Sequence, residues 1–166
     1  MTKSVNVQPL VGRKPSDQII VSFSVNSVES WRRFEKGTPD PVRRLECAAR
    51  LKELGWRVRI RLDPVILDSG LRGYKMISER IASLRPERVT VGTLRQYPGL
   101  RRFSRDAPGK GLERSSDGRL RYPLSVRKYV YETIAGWLGF APALCKETIE
   151  LWDELGWERD GCNCTV

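Results

Sequence analysis

Three β-branched segments constrain this chain most: IIVSFSVN (Ile19–Asn26), RVRIRLD (Arg57–Asp63) and RVTVGTL (Arg88–Leu94). Each alternates apolar and polar side chains, the period of a strand whose two faces meet different surroundings. Between the first two lie a short helical stretch around Ser27–Glu35 and a longer one, PVRRLECAARLKELG (Pro41–Gly55). Thr38 stands near the longer helix's start as a cap, Pro39 is tolerated in its first turn, and Gly55 ends it. Val42, Leu45, Ala49, Leu51 and Leu54 form its apolar stripe. Leu71–Leu84 predicts a further helix between the second and third strands. Strands joined by helix-length crossovers run parallel.

Parallel strands covered on both faces normally read as continuous apolar runs. These do not: Val58, Ile60 and Leu62 oppose Arg57, Arg59, Arg61 and Asp63, while Val89 and Val91 oppose Arg88, Thr90 and Gly92. In the first strand, Val21, Phe23 and Val25 oppose Ser22, Ser24 and Asn26. A barrel wall accounts for this, with apolar faces against outer helices and polar faces lining a lumen. The expected class is therefore α/β, a partial (β/α) barrel of about three parallel strands with outer helices. An antiparallel sheet with one wet face is the alternative, and the long helical connections oppose it. A three-stranded half barrel also leaves one sheet edge unpaired, open to aggregation or to a partner.

After the third strand the pattern changes. Leu112–Arg114 and Arg119–Tyr122 flank Ser115–Gly118, and Asp117-Gly118 predicts a hairpin turn. A helix follows from about Ser125 to Leu138, and APALCKETIELWDELGW reads as a short strand entering an amphipathic helix. Residues 1–18 show no strand pattern and read as a flexible segment before a single domain over 19–166.

Lys and Arg number 30 against 20 Asp and Glu, a net charge of +10. Ten of these cations and three of the anions fall between Arg95 and Lys128, so this segment carries +7. Such an excess fits an anionic partner such as nucleic acid. No apolar run approaches the roughly 20 residues that span a bilayer, and the N-terminus lacks a secretory h-region, so the expected location is the cytoplasm. The sequence has no histidine, which removes Ser-His and Cys-His nucleophile pairs and His-ligated metals. Cys47 reads as a core thiol, and Cys162 and Cys164 are too few for a zinc site without further ligands.

VSFSVNS, FEKGTPDPVRRLECAARLKELGWRVRIRLDPVI, VTVGTLRQYPGL, DGRLRYPLSVRKYVYE and ALCKETIELWDELG, in this order and spacing, resemble the C-terminal half of spore photoproduct lyase-like radical S-adenosylmethionine proteins. That resemblance implies a partial (β/α)6 barrel. It also implies a [4Fe-4S] cluster, bound by Cys-x3-Cys-x2-Cys in an N-terminal half, that cleaves S-adenosylmethionine to an adenosyl radical. In the name-giving enzyme the radical reverses a thymine dimer lesion in DNA. By resemblance, VSFSVNS is the fourth barrel strand, and Ser24 and Asn26 help hold S-adenosylmethionine. Arg61 and Asp63 close the fifth strand and Thr93 the sixth, at the ends where barrels bind ligands. GRLRYPL resembles the family's lesion-recognition hairpin, which makes Arg121 and Tyr122 the expected nucleic-acid contacts. From the residues alone, Tyr122 as a packing residue and Arg121 as a solvated charge remain open.

Cys-x3-Cys-x2-Cys is absent from this sequence, and Cys162-x-Cys164 offers two thiolates where the cluster needs three. The expected function is the C-terminal part of such a lyase, inactive without an N-terminal Fe–S half or partner subunit. The alternatives are a non-catalytic basic nucleic-acid-binding module and a truncated remnant.

Overall fold

The computed structural model describes residues 1–97, 99–100 and 107–159. Cys162 and Cys164 lie outside them, as do Arg101, Arg102 and Arg105 of the basic run. Strand β1 (Ile20–Val25) leads through α2 (Val28–Phe34) and α3 (Pro41–Glu53) to β2 (Arg57–Val65). Ahead of β1 lies the short helix α1 (Gln8–Val11). Helix α4 (Tyr74–Leu84) then leads to β3 (Arg88–Thr93). After β3 come β4 (Arg95–Gln96), β5 (Glu113–Arg114) and β6 (Leu120–Arg121), then α5 (Leu124–Leu138), β7 (Ala143–Leu144) and α6 (Ile149–Leu155).

The main sheet has the order β1-β2-β3-β7, and every pair is parallel. It is an open partial barrel, as the crossover lengths require, with the expected hairpin and strand–helix extension following it. β5 and β6 pair antiparallel around a turn in which Gly118 takes φ 77°, a conformation that costs glycine little. β4, too short to be visible in the sequence, pairs with β6 and completes a second sheet of order β4-β6-β5.

The strand periodicity sends Phe23, Val25, Val58, Ile60, Leu62, Val89 and Val91 into one core under the helices. Helix α3 starts at Pro41, where its sequence suggests, but with a different cap. Asp40, not Thr38, caps it: Asp40 Oδ1 accepts from Val42 N at 2.6 Å, with Pro41 at the first position. Its buried stripe is also rotated, comprising Pro41, Arg44, Leu45, Ala48 and Leu51, while Leu54 is exposed. The reason is Arg44, a cation in the middle of the stripe that a hydrophobic reading passes over.

The leading residues, expected as a flexible segment, are tied to the domain. Thr2 N donates to Ser22 O at 2.8 Å and Ser24 N donates to Thr2 O at 2.9 Å, a parallel bridge on the outer edge of β1. Lys3 pairs with Glu35 at 3.0 Å, Cys47 Sγ donates to Val5 O, Val7 is buried, and Trp56 Nε1 donates to Leu10 O. The sheet edge expected to be bare is thus covered where Thr2 crosses it. Among the described residues no helix is long and apolar enough to cross a membrane.

Candidate functional site at the C-terminal ends of the strands

The polar faces of β1, β2 and β3 lie opposite the apolar core face, and Ser22, Ser24, Arg59, Arg61 and Thr90 are all buried. At the N-terminal end of β2, Arg57 and Arg59 converge on Glu87, at 2.7 and 2.6 Å. Conserving shape at this end of a barrel is a stability role, whereas the opposite end is where ligands bind.

At that opposite end, Asp63 Oδ2 accepts from Arg61 Nε and Nη2 at 3.0 and 2.9 Å. Arg95 Nη1 and Nη2 reach the same carboxylate at 3.1 Å each. Both guanidiniums also contact Cys145 Sγ, just past β7, at 2.5 Å from Arg61 and 3.4 Å from Arg95. Burial acts to raise the Asp63 pKa, but Arg95 and then Arg61 outweigh it, and the net shift is downward. Burial, reinforced by Asp63, pushes the Cys145 thiol up to about 11 against the pull of Arg95 and Arg61, so it is neutral at pH 7. Gly92 makes this arrangement possible, because a Cβ there would lie 2.6 Å from Asp63 Oδ1.

Asn26, at the end of β1, is the centre of a second network. Its Nδ2 donates to Pro64 O at 3.1 Å and to Glu35 Oε1 at 3.3 Å. Its Oδ1 accepts from Ser27 N at 2.9 Å and from Tyr74 OH at 2.7 Å. Both ends of the amide are used within the protein, so Asn26 joins β1, β2, α2 and α4 and is not placed as a direct ligand. Beside it Arg44, fully buried, donates to Ser24 O, Pro39 O, Glu35 Oε2 and Thr38 Oγ1 at 2.8–3.0 Å.

Thr93, the third strand-end residue, belongs to a third network around Glu147. Thr93 Oγ1 and Tyr131 OH donate to Glu147 Oε1 at 2.9 and 2.5 Å. Arg127 and Arg121 donate to Oε2 at 2.5 and 3.5 Å. Arg121 is 1% exposed and also donates to Asp117 Oδ2 at 2.6 Å and Lys146 O at 2.9 Å. Tyr122 is 3% exposed, its OH accepts from Leu67 N at 2.9 Å, and burial pushes its pKa up to about 12. The expected Arg121–Tyr122 pair therefore lies near Thr93, but both side chains point inward and dock the hairpin onto the sheet. Tyr131, Arg127 and Glu35 carry these networks without any local sequence signal, whereas Glu147 follows the last strand in ALCKET at a helix start and Arg44 is a cation inside an apolar helical stripe.

The carboxylates share one pH signature. Glu87 and Asp117 are lowered to about 2, by hydrogen bonds from Arg57 and Arg121 first, and Glu35 and Asp63 are lowered as well. A carboxylate whose folded pKa is depressed stabilises the fold above its unfolded pKa, and that contribution is lost as pH falls through the folded value. With no histidine to titrate, the unfolding midpoint is expected to stay close to flat from pH 8 to 5. It should then fall continuously between about pH 4.5 and 2. Thermal melts across this range check it; a midpoint unchanged down to pH 3 contradicts the ion-pair assignment.

The arrangement defines a class: an open parallel (β/α) partial barrel whose strand ends gather charged and hydroxyl side chains. No protein-family model matches the chain, and no curated protein matches it. Solved structures do, and they are of spore photoproduct lyase. A cysteine-to-serine mutant of that enzyme matches with TM-score 0.69 at 19% identity, over 86% of this chain and 48% of that chain. The enzyme complexed with dinucleoside spore photoproduct matches with TM-score 0.66 at 20% identity and the same coverage. A double mutant with bound AdoMet and dinucleoside spore photoproduct matches with TM-score 0.66 at 19% identity. The chain shares the fold of spore photoproduct lyase and spans about half the length of the structures it matches.

Proposed function

We propose that this chain is the C-terminal part of a spore photoproduct lyase-like radical S-adenosylmethionine protein that acts on nucleic acid. Its chemistry requires an N-terminal half that binds the [4Fe-4S] cluster. One observation carries the reading: a polar strand-end site on a fold shared with an enzyme whose solved structure holds AdoMet and a dinucleoside lesion. When bound, S-adenosylmethionine supplies the adenosyl radical once the cluster reduces it. The residues here fit part of that ligand. Arg61 and Arg95 offer guanidiniums to a carboxylate, Asp63 a carboxylate to an ammonium or ribose hydroxyl, and Ser24 a hydroxyl. Arg61, Asp63 and Arg95 are paired with one another and would exchange those partners for the ligand; Asn26 and Thr93 are engaged by Pro64, Tyr74 and Glu147, and their part is to hold the strand ends in place. Among the described residues no group of three or more His, Cys, Asp or Glu side chains is gathered as for a metal, so no step is assigned to a cluster on this chain.

The test is anaerobic reconstitution of the chain alone and mixed with a Cys-x3-Cys-x2-Cys half, followed by assay of 5′-deoxyadenosine release from S-adenosylmethionine. Release is expected from the mixture only, and Asp63→Asn should weaken S-adenosylmethionine binding by roughly tenfold. A cluster and turnover from the chain alone would overturn the half-enzyme reading. The basic segment Arg95–Lys128, at +7, supports a second reading, a non-catalytic nucleic-acid-binding module. That reading predicts salt-sensitive DNA binding by the chain alone and no response to the added half.

A further inference from the structure

Tyr97, directly after β4, is 66% exposed. Arg119, in the turn just before β6, places its guanidinium carbon 5.3 Å from the ring centroid, and its Nη2 lies 3.5 Å from the Tyr97 hydroxyl. That guanidinium is not loose: its Nη1 donates to Asp117 Oδ2 at 3.2 Å, and Asp117 in turn holds the buried Arg121. One face of the Tyr97 ring is therefore backed by a fixed cation, and two thirds of the residue's surface remains open. Tyr129, on α5, is exposed to a similar degree (63%). Arg33 over Phe34 is the other such cation–aromatic pair among the described residues.

The segment Arg95–Lys128, with ten cations against three anions, favours an anion. Exposed Lys110 precedes β5, and exposed Arg114, paired with Leu120, lies on the face of the small sheet opposite Arg119, with Glu113 and Asp117 as the local acids. An open aromatic face backed by a guanidinium, within a basic segment of the chain, can stack a base while meeting its phosphates. An apolar peptide would gain nothing from the cations, and a duplex hides the base faces. Arg121 and Tyr122, the positions first expected to do this, are buried and hold the hairpin in place instead.

We propose that Tyr97, backed by Arg119, stacks an unpaired base of single-stranded DNA on the exposed side of the β4-β6-β5 sheet. This rests on the reading that nucleic acid is the partner, and it assigns the contact to a new residue pair. The test is fluorescence anisotropy with labelled oligo(dT) and with a duplex of equal length, at low and moderate salt. Tyr97→Ala should weaken oligo(dT) binding by roughly tenfold or more. Tyr97→Phe should keep it, Tyr97→Leu should fail like alanine, and Arg119→Gln should cost less. Tyr129→Ala should change nothing, and duplex binding should not respond to Tyr97. Oligo(dT) binding within twofold of wild type in Tyr97→Ala overturns the platform while leaving the nucleic-acid reading standing. Equal loss on duplex overturns stacking. No binding of either DNA by the wild-type chain overturns both.

Discussion

Replacing Arg44 by methionine is expected to lower the unfolding midpoint by roughly 10 °C. The side chain is fully buried in the apolar stripe of α3 and its five-donor fork is spent on Ser24 O, Pro39 O, Thr38 Oγ1 and Glu35 Oε2. Methionine fills much of the volume but leaves two carbonyls without their donor. It also leaves Glu35 with Lys3 as its remaining cation. Removing one partner of a buried pair costs about 3–5 kcal/mol because the other is left desolvated. The Ser24 carbonyl adds a structural consequence. It lies on the outer edge of β1, one residue from the Thr2 bridge, so Arg44 ends the exposed edge where Thr2 no longer covers it. Arg44→Lys should recover less than half of the loss, since a single ammonium cannot serve four acceptors held in a planar fork. Glu35→Gln should cost less than Arg44→Met, because Arg44 keeps three acceptors. Differential scanning calorimetry of the three variants decides it; a midpoint for Arg44→Met within about 2 °C of wild type would show that the pair is not worth its burial.

Arg44 also shows where sequence reading stops. The parallel sheet was legible because period-two alternation in three segments and helix-length connections leave few topologies. The hairpin was legible from Asp117-Gly118, and the C-terminal strand and helix from APALCKETIELWDELGW, although the helix buries Leu151 and leaves Ile149 exposed. Strand direction then placed Ser24, Arg61, Asp63 and Thr93 toward the C-terminal ends of the strands. Apart from the Arg61–Asp63 pair, their partners were not legible, because these lie far along the chain: Asn26 meets Tyr74, Arg61 meets Cys145, and Thr93 meets Glu147. No local pattern marks a pairing across that separation. The Thr2 bridge and β4 are too short to show a period at all. The resemblance located the Arg121–Tyr122 hairpin but not the direction in which its side chains point. Orientation follows from Glu147 and Asp117, which draw Arg121 inward, and from the Leu67 amide that holds the Tyr122 hydroxyl.

Replacing Glu147 by leucine should destabilise the protein by about 3–5 kcal/mol, and unevenly. Its side chain has no solvent exposure and accepts from Thr93, Tyr131, Arg127 and Arg121. Leucine leaves the fully buried Tyr131 hydroxyl with Thr93 as its partner, and Arg127 with the Tyr122 carbonyl. Arg121 keeps Asp117 and the Lys146 carbonyl. The damage therefore falls on the join between the main sheet, α5 and the hairpin, and not on the β1–β2 core. Hydrogen exchange should rise over 113–122 and 143–148 while the amides of β1 and β2 stay protected, since sub-global opening follows the contacts that are lost. Glu147→Gln keeps one acceptor oxygen and the shape, and should cost roughly half as much in the same place. Arg127→Met should resemble Glu147→Gln, because Glu147 retains Arg121 and both hydroxyls. A uniform rise in exchange across all strands would mean that Glu147 supports the fold as a whole. A rise confined to the hairpin would make it the residue that sets how the Tyr97–Arg119 surface is carried relative to the strand-end site.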